Sequence, residues 1–395
     1  MFSILGLIEL ISHVDNGLLQ IPLDTYQIKT VFGHRNLYAQ VLFLSFPFQI
    51  YCATTSNAKV LKAFLSVSIS MNIFLLIILS NRATWLALFI GFILIGVLEY
   101  WRSRKTKHSF RIDKKSLRST LFSLIIGITI SLFFFSFFTE TNEAQNHLKE
   151  ITELENGSGK DRIELWKRTI NIINENPIFG CGGANWKIEM LKFGNKGLVS
   201  EDNITFYQRP HNDFLWITSE YGLIGGLLYL LIFVLAIYML IKRIASSKVE
   251  DILFYYILLF GFIGFTIYSF FSFPHERVVQ NIMLSLFLAF IILGDSNVAQ
   301  KTTLNRRRFF YIIYTICTLI ILSSIIIGYQ RFVSESHVKK ALYAKSINNQ
   351  TMVINEIKKA ESYFYPIDPT STPLSWYKGL AWYQLGNVDS ALVYF

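Results

Sequence analysis

A histidine heads a long apolar run in His211-Asn212-Asp213-Phe214-Leu215-Trp216, and that run passes Glu220 before reaching Gly222 and Gly225. An imidazole with an ordinary pKa near 6.5 moves protons at neutral pH, so a histidine at the mouth of an apolar run suits general acid–base work on a hydroxyl. It is partly desolvated there and still within reach of water. The residues alone leave a structural reading open too, in which His211 lies at a membrane interface and Asn212 or Asp213 caps a helix.

Three arginines are candidates to share that chemistry. Arg35 lies in Phe32-Gly33-His34-Arg35-Asn36, Arg82 in Ser80-Asn81-Arg82-Ala83-Thr84 and Arg162 in Lys160-Asp161-Arg162-Ile163. A guanidinium is planar, always charged and matched to two phosphate oxygens at once. Arg82 is the most telling, because it is the one basic residue in a very short polar stretch between two apolar runs. An arginine at or near membrane depth is a functional candidate by default. The structural alternatives are a snorkelling side chain for Arg82 and Arg35, and a helix-surface ion pair for Arg162. His34 and the turn Pro274-His275-Glu276-Arg277, with His275 and Arg277, are weaker candidates, since polar turns between apolar runs are usually only turns. Glu220 stands about two turns inside its run and is expected to pair with one of the arginines, because an unpaired carboxylate there is costly.

Several other chemistries lack their residues. No DxD is present for a metal-bound nucleotide sugar, no GxxxxGK[ST] for a nucleotide phosphate and no HExxH for zinc. The three cysteines, Cys52, Cys181 and Cys317, are far apart and form no CxxC, so neither a disulfide framework nor a zinc site is indicated.

The elements that must position these residues are apolar segments long enough to cross a bilayer. The chain is 52% hydrophobic and 16% charged, too apolar for an ordinary soluble protein. Its apolar residues fall into eight blocks, 37–53, 63–79, 84–100, 119–138, 214–241, 252–273, 278–293 and 309–328, the first and seventh of them short. A spanning helix takes about 20 residues, and backbone polar groups in lipid must be paired, so the blocks predict helices and an all-α polytopic membrane protein of about eight spans. Tyr38, Tyr51, Trp85, Tyr100, Trp101 and Trp216 lie near block ends, as in an interfacial aromatic belt.

The connections alternate in charge. One set is basic: Lys59 and Lys62; Arg102 through Arg118; Lys242, Arg243 and Lys248; Lys301 and Arg306 to Arg308. The other set is 32–36, 80–83, 139–213, 274–277 and the tail after Gly328, and it is mixed or poor in charge. The positive-inside rule puts the basic set in the cytoplasm and every candidate residue above outside it. The net charge of +10 is then a matter of topology and calls for no nucleic-acid partner.

Three regions follow: 1–36, an amino-terminal remnant and extracytoplasmic segment; 37–328, the membrane domain with its outer loop 139–213; and 329–395, a helical tail. The loop opens on acidic residues (Glu140, Glu143, Glu150, Glu153, Glu155), predicts a helix over 161–174, and turns at Asn176-Pro177 and Gly180, Gly182 and Gly183. In the tail, Gly379, Trp382, Gly386-Asn387, Ala391 and Phe395 are spaced as in one tetratricopeptide repeat, with 338–363 as a degenerate predecessor. A repeat needs a neighbour to cover its apolar face. Residues 1–12 are apolar, too short to span, and without a basic stretch or a cleavage site; they read as the end of a helix or an interfacial segment. These two ends lead us to expect a piece of a longer protein.

The motifs resemble those of the bacterial O-antigen ligase/polymerase family over roughly residues 17–293. The carriers are His211-Asn212 followed by Gly222 and Gly225; Gly17 to Gln20 leading to Phe32–Asn36; the Ser80-Asn81-Arg82-Ala83 turn; and Arg162 and Trp166 with Asn176-Pro177-Ile178-Phe179-Gly180-Cys181-Gly182. The resemblance implies transfer of a glycan from undecaprenyl diphosphate to an acceptor hydroxyl, at the periplasmic face of a bacterial cytoplasmic (inner) membrane, with no metal and no nucleotide. It implies that Arg82, Arg162 and Arg35 hold the diphosphate, that His211 serves the acceptor hydroxyl, and that Asn212, Glu220, Gly222 and Gly225 support it. The acceptor is a lipid A core, a growing glycan or a protein, according to whether the relative is a ligase, a polymerase or a protein O-oligosaccharyltransferase. The repeat-like tail would engage a protein partner. Two readings of other classes remain: a transporter of a phosphorylated lipid or anionic solute that uses the same arginines, and a membrane-anchored scaffold. No repeat between halves supports the former, and the histidine motif argues against the latter.

Overall fold

The structure is a computed structural model, and it describes residues 2–15, 28, 30–107, 114–138, 158–194, 196–198, 207–246, 251–293 and 304–395. The acidic opening of the outer loop lies outside the described residues. The described regular structure is helical throughout. In chain order the helices are α1 (Phe2–Asp15), α2 (Arg35–Thr55), α3 (Lys59–Leu79), α4 (Arg82–Thr106), α5 (Lys114–Phe138), α6 (Ser158–Glu175), the single turn α7 (Trp186–Glu189), α8 (Asp213–Ser246), α9 (Ile252–Phe271), α10 (Val278–Leu293), α11 (Leu304–Ser346), α12 (Gln350–Ala360), α13 (Leu374–Gln384) and α14 (Val388–Leu392).

Seven of these, α2, α3, α4, α5, α8, α9 and α11, are long and apolar enough to cross a membrane. The predicted seventh span is α10, which is apolar but only 16 residues long. The chain is thus a polytopic α-helical membrane protein. Residues Met1–Gly294 form one compact unit and Asp295–Phe395 a second.

In the first unit α9 is the interior helix, packed against α2, α4, α8 and α10. Phe43 of α2 stacks on Phe260 of α9 with ring centroids 5.4 Å apart and meets Tyr268 edge-on at 5.6 Å. Several polar side chains in this core are hydrogen-bonded, which lowers the cost of burying them. Thr84 Oγ1 and Tyr268 Oη lie 2.8 Å apart. Gln40 Nε2 donates to Ser272 Oγ at 2.9 Å, and Gln280 Nε2 donates to the Leu37 carbonyl at 3.3 Å.

The helix ends sort into two faces. On one face Tyr256 at the start of α9 donates to Glu99 near the end of α4, which also takes Arg102 Nε at 2.8 Å. Arg243 near the end of α8 donates to the Ile292 carbonyl of α10 at 3.2 Å. Arg102 near the end of α4 and Arg243 near the end of α8 belong to this face. The starts of α2, α4, α8 and α10 belong to the other, together with α6.

In the second unit the carboxyl-terminal part of α11, α12 and α13 pack in succession around Val338, Ala341, Val353, Ile357, Leu374 and Ala381. α11 does not end with its apolar run. It continues through Gly328 to Ser346, where Asn348 turns left-handed (φ 56°) and the Asn349 side chain caps α12 by accepting from the Met352 amide at 3.0 Å.

Candidate functional site

His211 stands two residues before the start of α8, and its neighbours fix it from both sides. Asn212 Oδ1 accepts from the Leu215 amide at 3.0 Å, so the helix cap belongs to Asn212 and not to the histidine. Upstream, α6 reaches over to residues 207–210. The Trp166 indole donates to the Pro210 carbonyl at 2.9 Å, and Tyr207 Oη donates to Asp161 Oδ2 at 2.5 Å. Held between these contacts, His211 adopts φ 57°, a left-handed conformation that non-glycine residues rarely occupy.

Around the imidazole the charges are positive. Burial first, and then the charges of Arg162, Arg209 and His34, push the His211 pKa down to about 3. Arg162, the fifth residue of α6, has its own pKa lowered by burial and then by the charge of Arg82. His34, Arg82, Arg162, Arg209 and His211 therefore share one electrostatic basin, assembled from α2, α4, α6 and the entry to α8. Arg82 is the first residue of α4, behind an Asn81 cap that accepts from the Thr84 amide at 3.1 Å. Arg35 is the buried first residue of α2, and the His34 Nδ1 before it accepts from the Asn36 amide at 3.0 Å. Both arginines thus add to the positive end of a helix dipole, where anions are favoured.

The turn between α9 and α10 closes the site from another side. Phe273 carries the Arg209 guanidinium 4.8 Å and the Arg277 guanidinium 4.9 Å from its ring centroid, and the His211 ring meets it edge-on at 5.1 Å. Arg209 also grips Glu276 in a two-pronged ion pair, with Nη2–Oε1 at 2.6 Å. Burial works to raise the Glu276 pKa, and the Arg209 hydrogen bonds with the charges of Arg209, Arg277 and His275 outweigh it and leave it lowered. His275 is tied to α8: its backbone amide donates to Asp213 Oδ2 at 3.1 Å and its Nδ1 lies 2.5 Å from Asp213 Oδ1.

Glu220 corrects an expectation. It accepts from the Trp216 indole at 2.8 Å and from the Trp186 backbone amide at 3.3 Å, rather than pairing with an arginine. Two N–H donors satisfy the buried carboxylate, so it acts as a brace between α7 and α8.

Gly222 is a break in α8. Its φ of 71° and ψ of −177° are accessible essentially only to glycine, and a Cβ there would lie 1.9 Å from the Ile178 carbonyl oxygen. The backbone groups freed by the break pair with the segment Asn176–Gly182. The Leu223 amide donates to the Pro177 carbonyl at 2.8 Å, and the Cys181 and Gly182 amides donate to the Ser219 and Glu220 carbonyls at 2.9 Å each. Gly180, at φ 72°, lets that segment lie flat on the break. Gly225 follows a turn later against Tyr221.

The structure therefore brings together His211, Arg82 and Arg162, with His34 beside them. Arg277 joins through Phe273, and His275 lies in the same turn. Arg209 and Phe273 were not singled out from the sequence, where Asp213 figured as a possible cap and Glu276 as part of a turn. Only Arg209 left a signal, its place two residues before His211.

Residues 67–230 match the family model described as O-antigen ligase. That window holds Arg82, Arg162, His211, Asn212, Glu220, Gly222 and Gly225, and excludes Arg35, His275 and Arg277. A curated protein of Rickettsia conorii, provisionally named a polysaccharide ligase, is 31% identical over 94 residues, which are 23% of this chain. The chain spans 21% of that relative's length. Residues 67–230 are thus similar to O-antigen ligases, and a shorter part of the chain is similar to a polysaccharide ligase.

Proposed function

We propose that this protein transfers a glycan from undecaprenyl diphosphate to an acceptor hydroxyl, at the extracytoplasmic face of a bacterial cytoplasmic membrane. The observation that carries the reading is that Arg82 and Arg162, from elements far apart in sequence, lie near enough for the charge of Arg82 to act on Arg162 and that of Arg162 on His211. As the sugar–phosphate C–O bond breaks, the electron pair goes to the diphosphate oxygen. Arg82 and Arg162, with Arg35 as a third cation, bind that oxygen's phosphate and stabilise the charge it gains. His211 accepts the proton that the acceptor hydroxyl loses as its oxygen bonds to the sugar carbon. The imidazole is a weak base while unopposed positive charge surrounds it. An entering diphosphate offsets the charges of Arg162, Arg209 and His34, so donor binding raises the basicity of His211. The reading uses no metal and no nucleotide.

The placement outside the cytoplasm rests on the alternation of basic and charge-poor connections along the sequence and the positive-inside rule. The tail is read as a tetratricopeptide-like region on the same side, where it would hold a protein partner. The test is deletion of the gene in its host, followed by gel analysis of the surface glycans and complementation with the full-length protein and its His211→Ala variant. Loss of all long chains identifies a ligase onto lipid A core, loss of length alone a polymerase, and a protein left unglycosylated a protein O-oligosaccharyltransferase. A deletion that leaves every surface glycan and glycoprotein intact ends the proposal.

A further inference from the structure

The segment that docks on the break in α8 also presents apolar side chains outward. Phe179 is 78% exposed and Ile178 is 56% exposed, more than the other large apolar residues described in the outer loop, of which Ile163, Ile170, Ile188 and Leu191 are exposed to a lesser degree and Trp186, Leu165 and Ile172 are fully buried. The depth of this pair follows from α8. Beyond the break, residues 223–241 are an unbroken run without a charge, ending at Lys242 and Arg243. At about 1.5 Å per residue the run is about 28 Å long, close to the hydrocarbon thickness of about 30 Å. The break at Gly222 therefore lies at the edge of the hydrocarbon layer. The hydrogen bond from the Leu223 amide to the Pro177 carbonyl holds Ile178 and Phe179 at that same depth. Next to them on α8, Leu223, Ile224 and Leu227 are exposed and face outward, as a lipid-facing helix surface does.

We infer that Ile178 and Phe179 form a wedge that enters the acyl-chain region of the leaflet on the α6 side, so that the lipid surface itself anchors α6 and the Arg162 it carries. The two residues are continuous with the lipid-contacting face of α8, which makes lipid their partner in preference to a protein. Part of the turn's backbone is paired. The Gly180 amide donates to the Asn176 carbonyl at 3.0 Å, and the Pro177 carbonyl and the Cys181 and Gly182 amides are taken up by the broken helix. Irregular backbone is tolerated at membrane depth only when its polar groups are satisfied in this way. Tyr221, exposed beside the break, adds an interfacial aromatic at the same level. The inference rests on surface and depth alone and stands whether or not the transfer reaction is correct.

The experiment places an environment-sensitive fluorophore on single cysteines in the full chain, with Cys52, Cys181 and Cys317 changed to serine. The protein is reconstituted in vesicles of phosphatidylethanolamine and phosphatidylglycerol. Phe179→Cys and Ile178→Cys each carry the label in separate proteins, and Asn171→Cys, exposed on α6, serves as the aqueous control. Both test positions are exposed, so neither substitution removes a buried contact. The expected result is blue-shifted emission at 178 and 179, quenched by nitroxide-labelled lipid and shielded from aqueous iodide, with the reverse at 171. Iodide quenching at 178 and 179 equal to that at 171 overturns the inference. So does blue-shifted emission that neither quencher reaches, because a protein surface would then cover the pair.

Discussion

The Trp166 indole N–H donates to the Pro210 carbonyl at 2.9 Å, and this bond ties the residue before His211 to the helix that carries Arg162. The proposed base and the proposed phosphate-binding cation are thereby placed by one contact. Trp166→Phe keeps an aromatic ring and deletes the donor. A neutral hydrogen bond contributes about 0.5–1.5 kcal/mol, so transfer is expected to fall by roughly 2–10-fold, with thermal stability in detergent little changed. The assay is the initial rate in membranes from a deletion strain. A wild-type rate would mean that the bond does not position the histidine.

Gly222→Ala tests the break in α8. The variant must hold an ε-region backbone that costs of order 1–3 kcal/mol, and its methyl group would collide with the Ile178 carbonyl. Less folded protein and a lower melting temperature are expected, because α8 straightens or the Asn176–Gly182 segment lifts off it. Gly96→Ala on α4, where an added Cβ meets nothing within 4 Å, is the matched control and should melt like the parent. Equal melting of both variants would show that the break carries no cost.

For the arginines the contrast is between charge and shape. Arg82→Lys keeps the charge and loses the planar fork, and Arg82→Ala loses both. Removing one group that stabilises developing charge costs about 10²–10³-fold in rate. The alanine variant is expected in that range and the lysine variant between it and the parent, measured as transfer from a purified lipid-linked donor. Unchanged transfer by Arg82→Ala in the full-length protein would remove Arg82 from the diphosphate site.

Topology is tested by reporter fusions. Fusions at Gly157 and Asn348 are expected to score extracytoplasmic, and one at Lys107 cytoplasmic. A cytoplasmic score at Gly157 would place Arg162 and His211 on the wrong side for a lipid-linked glycan and undo the proposed chemistry.

Much of this was legible in the sequence because lipid leaves few options. Eight apolar blocks correspond to eight helices, and the odd charges among them, Arg82 above all, marked the candidate site. Block ends were less legible. The last block ends at Gly328, yet α11 runs on to Ser346, because nothing before Asn348 and Asn349 stops a helix that leaves the apolar run. Within the site, the sequence offered residues without their partners. Glu220 looked like the counter-ion of an arginine, and only the fold shows that Trp216 and the Trp186 amide reach it first. Gly222 belonged to a recognisable frame, but its reason, the Pro177 and Ile178 carbonyls, lies across the outer loop. Phe273 gave no signal at all, since a phenylalanine at the end of an apolar run is unremarkable until two guanidinium groups and an imidazole meet on it.

His211 makes the sharpest prediction, because its environment fixes the sign of a pH effect. Burial and neighbouring cations hold its pKa at about 3, against an ordinary value near 6.5. Between those two values the unfolded chain binds a proton that the folded chain does not, so this group makes stability rise with pH across the window. Its contribution is fully present above about 6.5 and is lost progressively as pH falls towards 3. His211→Gln removes that dependence, and the melting temperature of the variant should fall less than that of the parent between pH 6.5 and 4.5. Catalysis carries a second signature. In the free protein His211 stays unprotonated through mild acid, so it puts no acid limb near 6.5 into kcat/KM. Once diphosphate charge offsets Arg162 and Arg209, its pKa rises, and the acid limb of kcat should lie at higher pH than that of kcat/KM. His211→Ala should lower the rate by about 10²–10⁴-fold and abolish the difference between the two limbs. Coincident limbs in the parent protein, both near 6.5, would show that the arginines do not govern this histidine, and the proton would have to go elsewhere.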